Sequence, residues 1–495
     1  MLFNSYEYIF LFIPLTFAVY FVLNKMRKTY LSKVWLVIAS LFFYSWWDIS
    51  NLPIILVSIC VNYAIGLRVV KAEGPRTRTL FFIMGVSFNV LLLMHYKYTD
   101  FLLTNINAVF GTHFELMHKA LPLGISFFSI TQIAYLFDAK RQTAREYNFA
   151  NYALFVSFFP HLLAGPILHH REMMPQFERL RNKVFNPENI SKGLFLFSLG
   201  IMKKVLIADH LAVWADGGFD SGAQLSMLGA WITSLSYTLQ IYFDFSGYTD
   251  MALGAALLFN IHLPLNFNSP YKAINIQDFW RRWHMTLSRF LRDYIYIPLG
   301  GNRCSPLRTN LNIFITFLIG GIWHGAGWGF LIWGILHGAA YMVHRVWQGL
   351  NLKMGRFLAI FLTFNFVNVT WLFFRARTLG DAGRVLKGMI GLNGIGIGDF
   401  WNPFFSFIVS AMSLLQENEQ FRGLGDLLGY LQGAADKVFV LCLCLLICLF
   451  AKNSNERVKE FSPSWRTALI LGFATVCAVL AIRIDVPAKF IYFDF

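Results

Sequence analysis

Four histidines stand close together in the middle of this chain. His284 lies in DFWRRWHMTLSRFLRDY (Asp278 to Tyr294), His324 in GGIWHGAGWG (Gly320 to Gly329), and His337 and His344 in LIWGILHGAAYMVHR (Leu331 to Arg345). An apolar setting favours the uncharged imidazole. Such a ring can act as a general base, an effect worth roughly a hundred- to ten-thousand-fold in rate. The glycines at 320, 321, 325, 327 and 329 predict that His324 sits on an irregular segment where backbones approach closely. A histidine held there by hydrogen bonds for structural reasons is the plainer alternative.

On a helix from Asp278 to Tyr294, Trp280, His284 and Ser288 share one face. Asp278 with Arg282, and Arg289 with Asp293, are opposite charges four apart, which leaves Arg281 and Arg292 without such partners. This segment reads either as an interfacial helix anchored by arginine and tryptophan, or as a wall that also binds an anionic donor such as a phosphopantetheine or nucleotide. His337, Tyr341 and His344 share another face, where helix packing explains the histidines as well as function does. No HExxH, no CxxC and no carboxylate pair at metal spacing occurs, so no metal is predicted. No GxSxG elbow supports a covalent serine.

The elements that hold these residues belong to a membrane. Of 495 residues 56% are hydrophobic and only 14% charged, against about 25% charged in soluble domains. The formal charge of +15 sits in short clusters between apolar runs. That is the habit of cytoplasmic loops near anionic headgroups, and it argues against nucleic acid. The cysteines, among them Cys442, Cys444 and Cys448 in one apolar run, have no zinc spacing and read as packing residues.

Tyr8 to Leu23 has no basic stretch before it and no small-residue cleavage site after it, so it reads as a first membrane helix. Val34 to Trp47, Pro53 to Leu67 and Leu80 to Met94 follow. Basic clusters at every second junction place the N-terminus outside and those loops in the cytoplasm. Leu121 to Asp138 and Phe155 to Ile167 are apolar but interrupted, and such segments persist at membrane depth only where protein surrounds them or a cavity adjoins them. Met174 to Ile190 is polar and expected as an exposed loop. The pair Lys203-Lys204 is expected at a membrane edge.

In Ala230 to Phe259, Asp244 and Asp250 are costly unless paired or hydrated. They pair with Arg281, Arg282, Arg289 or Arg292, or they form the polar wall of a tunnel, and the two readings are compatible. Phe357 to Phe374, Val438 to Phe450 and Thr467 to Ile482 complete the apolar runs, and Gly391 to Gly433 reads as an interfacial excursion. The expected fold is all-α and polytopic, with roughly eleven to thirteen membrane segments and re-entrant pieces in a single domain over 1–495, its core motifs within 121–377.

Several stretches in this order, FDFSGYTDMALG, NFNSPY, DFWRRWHMTLSRFLRDYIYIPLGGNR and GGIWHGA, together with FFPHLLAGPI (Phe158 to Ile167), resemble the membrane-bound O-acyltransferase family. The resemblance is to its bacterial branch that acetylates alginate and similar polysaccharides, and it covers at least Met1 to Arg377. It implies a helical shell around a tunnel, with His324 as the essential catalytic residue and His284 as a second tunnel histidine. On this basis His324 takes a proton from an acceptor hydroxyl, and His284 orients the substrate or assists proton transfer. Arg281, Arg282 and Trp323 shape the donor side, and Asp244, Ser246 and Tyr248 belong to the substrate-binding wall.

The implied donor is cytoplasmic acetyl-CoA, as a substrate and with no cofactor. The implied partners are a periplasmic acetyltransferase protein and a polysaccharide acceptor, and the implied location is the bacterial inner membrane. D-alanyl transfer from a carrier protein to teichoic acid, or a transporter or export channel, are the alternatives.

Overall fold

The computed structural model describes residues 1–396, 434–482 and 490–491; the Gly391–Gly433 stretch lies outside them from 397 onward. Among the described residues every regular element is a helix, as the all-α expectation required. In a bilayer this follows from the need to satisfy each backbone group within its own segment.

α1 (Ile13–Lys25), α2 (Thr29–Ser45), α3 (Asn51–Lys71), α4 (Pro75–Leu93) and α5 (Thr99–Phe110) come first. With the turns that join them, Glu7–Lys25, Asn51–Lys71 and Pro75–Phe110 are long and apolar enough to cross a membrane. Their outer surfaces expose Phe10, Leu15, Val57, Ile83 and Leu91, a composition suited to lipid tails.

α6 (Ile125–Lys140), α7 (Phe149–Ser157) and α8 (Phe159–Leu162) are the interrupted segments, and they are buried in protein as expected. The polar stretch after them is not a plain loop. α9 (His170–Glu178) occupies its start, and α10 (Pro187–Met202) begins within it because the Asn186 side chain accepts from the amides of Glu188 and Asn189.

α11 (Asp209–Phe219) leads to α12 (Met227–Leu258), whose 32 residues span about 48 Å. Every residue from Ser236 to Leu258 is buried, so α12 is the axis of the molecule. It packs on α10 through paired glycines. A Cβ on Gly254 would stand 2.5 Å from the carbonyl oxygen of Gly193, and one on Gly247 would stand 2.8 Å from that of Gly200. Small residues permit this backbone-to-backbone approach.

α13 (Ile276–Trp280), α14 (Met285–Leu291), α15 (Pro306–His324), α16 (Trp328–Gly349) and α17 (Arg356–Arg375) follow, and α17 is also long and apolar enough to cross a membrane. α18 (Leu379–Met389), α19 (Ala434–Phe450), α20 (Ser454–Lys459) and α21 (Trp465–Leu480) end the described chain. Cys444 and Cys448 are buried packing residues on α19.

Charge sorts the two ends of these helices. The junctions with Lys25, Arg27, Lys28, Lys71 and Arg76 make one basic face. The opposite face also carries cations, but there Arg375 is bound to Asp216 at 2.6 Å and Asp220 at 2.8 Å. Lys203 and Lys204, expected at a membrane edge, are turned into the protein. Both lie in a π-helical turn, Lys203–Ala208, that aims them at α12, with Lys203 2.7 Å from Asp250 and Lys204 2.7 Å from Asp244.

Candidate active site

The expected helix from Asp278 to Tyr294 is two helices with a turn between them. Its first donors are diverted: the amide of Met285 donates to the Asn266 carbonyl at 3.0 Å, and that of Thr286 to the Asn266 side-chain oxygen at 3.3 Å. Asn268 in turn donates its amide to the Arg282 carbonyl at 2.9 Å. Residues 266–268 of NFNSPY thus take backbone groups that a continuous helix would use. His284 is left at the turn with φ +41°, in the left-handed region. Trp280, His284 and Ser288 therefore do not share a helix face. The segment reaches the surface on both sides of this turn, where Arg281 and Arg292 are exposed, and Arg141 donates to the Asp293 carbonyl at 3.1 Å. His284 is its buried tip.

The charge pairing along this stretch is half as expected. Arg282 binds Asp278 at 2.8 Å. Arg289 instead binds Glu172 at 2.9 Å, and Arg292 binds Asp293 at 2.7 Å, because the π-helical turn beginning at Arg292 carries Asp293 out of the four-residue register.

His324 meets that tip. It is the last residue of α15, not part of an irregular segment: the helix runs through Gly320 and Gly321 and stops at Gly325. Gly321 is needed inside the helix, since its missing Cβ admits Gly334 of α16. The His324 ring centre lies 5.1 Å from those of Trp333 and Phe374, 4.9 Å from Trp323 and 6.5 Å from His284. Phe245 of α12 packs edge-on against His284 at 4.8 Å. Two imidazoles from separate segments thus share one aromatic chamber. Trp323 lines it too, edge-on to Phe127 at 5.5 Å.

The other expected site residues lie elsewhere. Arg281 is exposed, and Arg282 is held by Asp278 and the Asn268 carbonyl. Asp244 pairs with Lys204 and accepts from the Ile491 amide at 2.9 Å, so its partner is a lysine and not one of the four arginines. Asp250 is likewise bound by Lys203 and Ser454. Ser246 is buried, and Tyr248 is stacked between Phe3 and Phe490. His337 has a packing role: its Nδ1 accepts from the Trp280 indole at 3.2 Å, and its Nε2 faces the Thr370 hydroxyl at 3.1 Å.

The model of the MBOAT, membrane-bound O-acyltransferase family, matches residues 7–379. The chain belongs to this family. It is an enzyme, an O-acetyltransferase, and a multi-pass membrane protein. It is 46% identical to the peptidoglycan O-acetyltransferase of Helicobacter pylori over 100% of this chain and 98% of that one. It is 40% identical to the probable alginate O-acetylase of Pseudomonas putida over 79% of this chain and 80% of the relative. Similarity to the teichoic acid D-alanyltransferase of Bacillus subtilis is 27% identity over 50% of this chain and 66% of the relative.

In this O-acyltransferase a cavity of about 1050 Å³ opens at the face opposite the basic one. Trp328, Phe330, Phe374, Tyr237 and Gln240 are among its walls. Phe374 borders both this cavity and His324. The Tyr237 hydroxyl and the Gln240 amide oxygen are buried at the cavity without a hydrogen-bond partner among the described residues.

Sequence reasoning missed these residues, and it missed Lys97. That lysine donates to the carbonyls of Trp323 at 2.8 Å and His324 at 2.9 Å. A signal for it existed: it is an ionisable residue just beyond an apolar run, and at membrane depth such a residue needs a reason.

Proposed function

We propose that this acyltransferase uses His324 as its general base to move an acetyl group across the membrane, from acetyl-CoA at the basic, cytoplasmic face to an acceptor hydroxyl entering from the other side. The observation that carries this reading is the position of His324. It is buried, with its ring beside those of His284 and of Phe374, and Phe374 lines the large cavity.

His324 takes the proton of the acceptor hydroxyl as its oxygen bonds to the acetyl carbon. The carbon–sulfur bond breaks, and the proton passes on to the departing thiolate. His284, at the same chamber, orients the thioester or relays the proton. Trp323 packs beside the reacting groups, and Arg281 and Arg282 lie on the donor side.

The acceptor feeds O-acetylation of a cell-surface glycan outside a bacterial inner membrane. Peptidoglycan is the favoured glycan, because the relative of that name matches the whole chain, whereas the alginate relatives match 79% of it. The immediate acceptor is a hydroxyl on a periplasmic partner protein or on the glycan itself. The Tyr237 hydroxyl and the Gln240 amide oxygen, buried at the cavity with no hydrogen-bond partner among the described residues, suit a hydroxyl-rich ligand.

The test is acetyl transfer from radiolabelled acetyl-CoA by the purified protein in detergent, wild type beside His324→Ala, with membrane extract supplying acceptors. Label should move with wild type and fall by about a hundredfold or more in the variant. A folded His324→Ala protein with full transfer refutes the assignment of the base. Transfer of D-alanine from a carrier protein, with none from acetyl-CoA, refutes the donor.

A further inference from the structure

We infer that Lys97 is a positioning residue for His324, acting through the backbone of α15. The inference rests on His324 being the base.

The last carbonyls of a helix have no donors within it. Gly325 follows α15 in an extended conformation, φ −165°, so the chain does not close its own end with a left-handed cap. The donors come instead from the turn between α4 and α5. Tyr98 donates its hydroxyl to the Ile322 carbonyl at 2.6 Å, and Lys97 Nζ donates to those of Trp323 and His324. The third proton of Lys97 is directed at the Ser126 hydroxyl, 3.2 Å away at the start of α6. Two adjacent residues therefore cap three successive carbonyls, the last being that of His324 itself.

The π-helical turn Met94–Tyr98 makes this possible, because the extra residue in a wide turn reorients the side chains that follow. Lys97 borders a cavity of about 20 Å³ with Trp323 and His324 and another of about 260 Å³ with Gly325 and Phe330, but its Nζ is directed at the two carbonyls and the Ser126 hydroxyl, so its role is to hold and not to bind. Without Lys97 the last turn of α15 is free to fray, and the His324 Cα moves with it. A displacement of about 1 Å can cost on the order of a hundredfold in rate.

The experiment compares wild type, Lys97→Met, Lys97→Arg, Tyr98→Phe and His324→Ala in acetyl transfer, with kcat expressed per folded molecule. Lys97→Met is expected to lower kcat by about ten- to a hundredfold with KM for acetyl-CoA within about twofold, and Lys97→Arg to restore most of it. A residue that served stability alone would reduce the folded yield and leave kcat per folded molecule intact, and that result overturns the inference. If Lys97→Met does not fold, Tyr98→Phe decides: a lower kcat at unchanged KM supports the cap, and an unchanged kcat overturns it. A fully active His324→Ala protein would instead remove the base assignment. An inactive His324→Ala beside a fully active Lys97→Met removes only the inference.

Discussion

The rings of His284 and His324 lie 6.5 Å apart, centre to centre, at an interplanar angle of 59°. One comes from the tip of a dipping segment and the other from the end of α15, so neither helix alone sets their relation. If they serve one proton path, removing both costs little more than removing His324 alone, because groups acting as a unit are not additive. His324→Ala should cut kcat by about a hundred- to ten-thousandfold, and the double variant should lie within about tenfold of it. A double variant whose loss equals the product of the single losses would show that the two rings act independently.

Lys204 is buried between Asp209 at 2.8 Å and Asp244 at 2.7 Å. Removing one partner of a buried ion pair typically costs about 3–5 kcal/mol, because an uncompensated charge stays behind. Lys204→Met should therefore be poorly folded. Lys204→Met combined with Asp209→Asn and Asp244→Asn should recover much of the loss. Thermal unfolding in detergent measures both, and a triple variant no more stable than the single one would contradict the account.

The glycine seam of α10 and α12 is rigid on both sides. A Cβ on Gly254 would meet the Gly193 carbonyl oxygen at 2.5 Å and the Phe197 amide nitrogen at 2.7 Å, and backbone atoms cannot rotate away as a side chain can. Gly254→Ala should destabilise by about 1–3 kcal/mol, the usual range for overpacking. Gly217→Ala, which meets nothing within 4 Å, is the control and should melt near wild type. Equal melting temperatures for the two variants would argue against close helix contact.

Asp220 gives a dependence on pH at the membrane surface. Burial alone would raise its carboxyl, but hydrogen bonds and charge from Arg375, with Arg377 nearby, outweigh burial and hold it below the usual carboxylate range. A depressed folded value means that the stabilisation is complete above the unfolded value of about 3.9 and is lost as pH falls through the folded one. Asp220→Asn should melt below wild type at neutral pH, and the gap should begin to close below about pH 4 and vanish below the folded value. Melting curves across that range check it; a gap that persists at low pH would assign the effect to packing.

The membrane class and the helical architecture were legible in the sequence, because they follow from local rules, whereas the choice of His284 and His324 over His337 and His344 came from the resemblance to a family. Apolar runs such as Phe357 to Phe374 must form helices in lipid, and a histidine within apolar sequence announces itself by composition. The partners were not legible, because each depends on a group brought in from elsewhere in the chain. Asn266 breaks the 278–294 helix by taking its amides, a competition invisible to the periodicity of that helix. Lys203 and Lys204, not the arginines of 281–292, neutralise Asp250 and Asp244, because a π-helical turn aims them inward. Lys97 reaches the end of α15 for the same kind of reason. Sequence determined which groups enter the membrane interior; tertiary structure decided which of them meet, because hydrogen bonds and ion pairs act over about 3 Å and only packing sets distances that short.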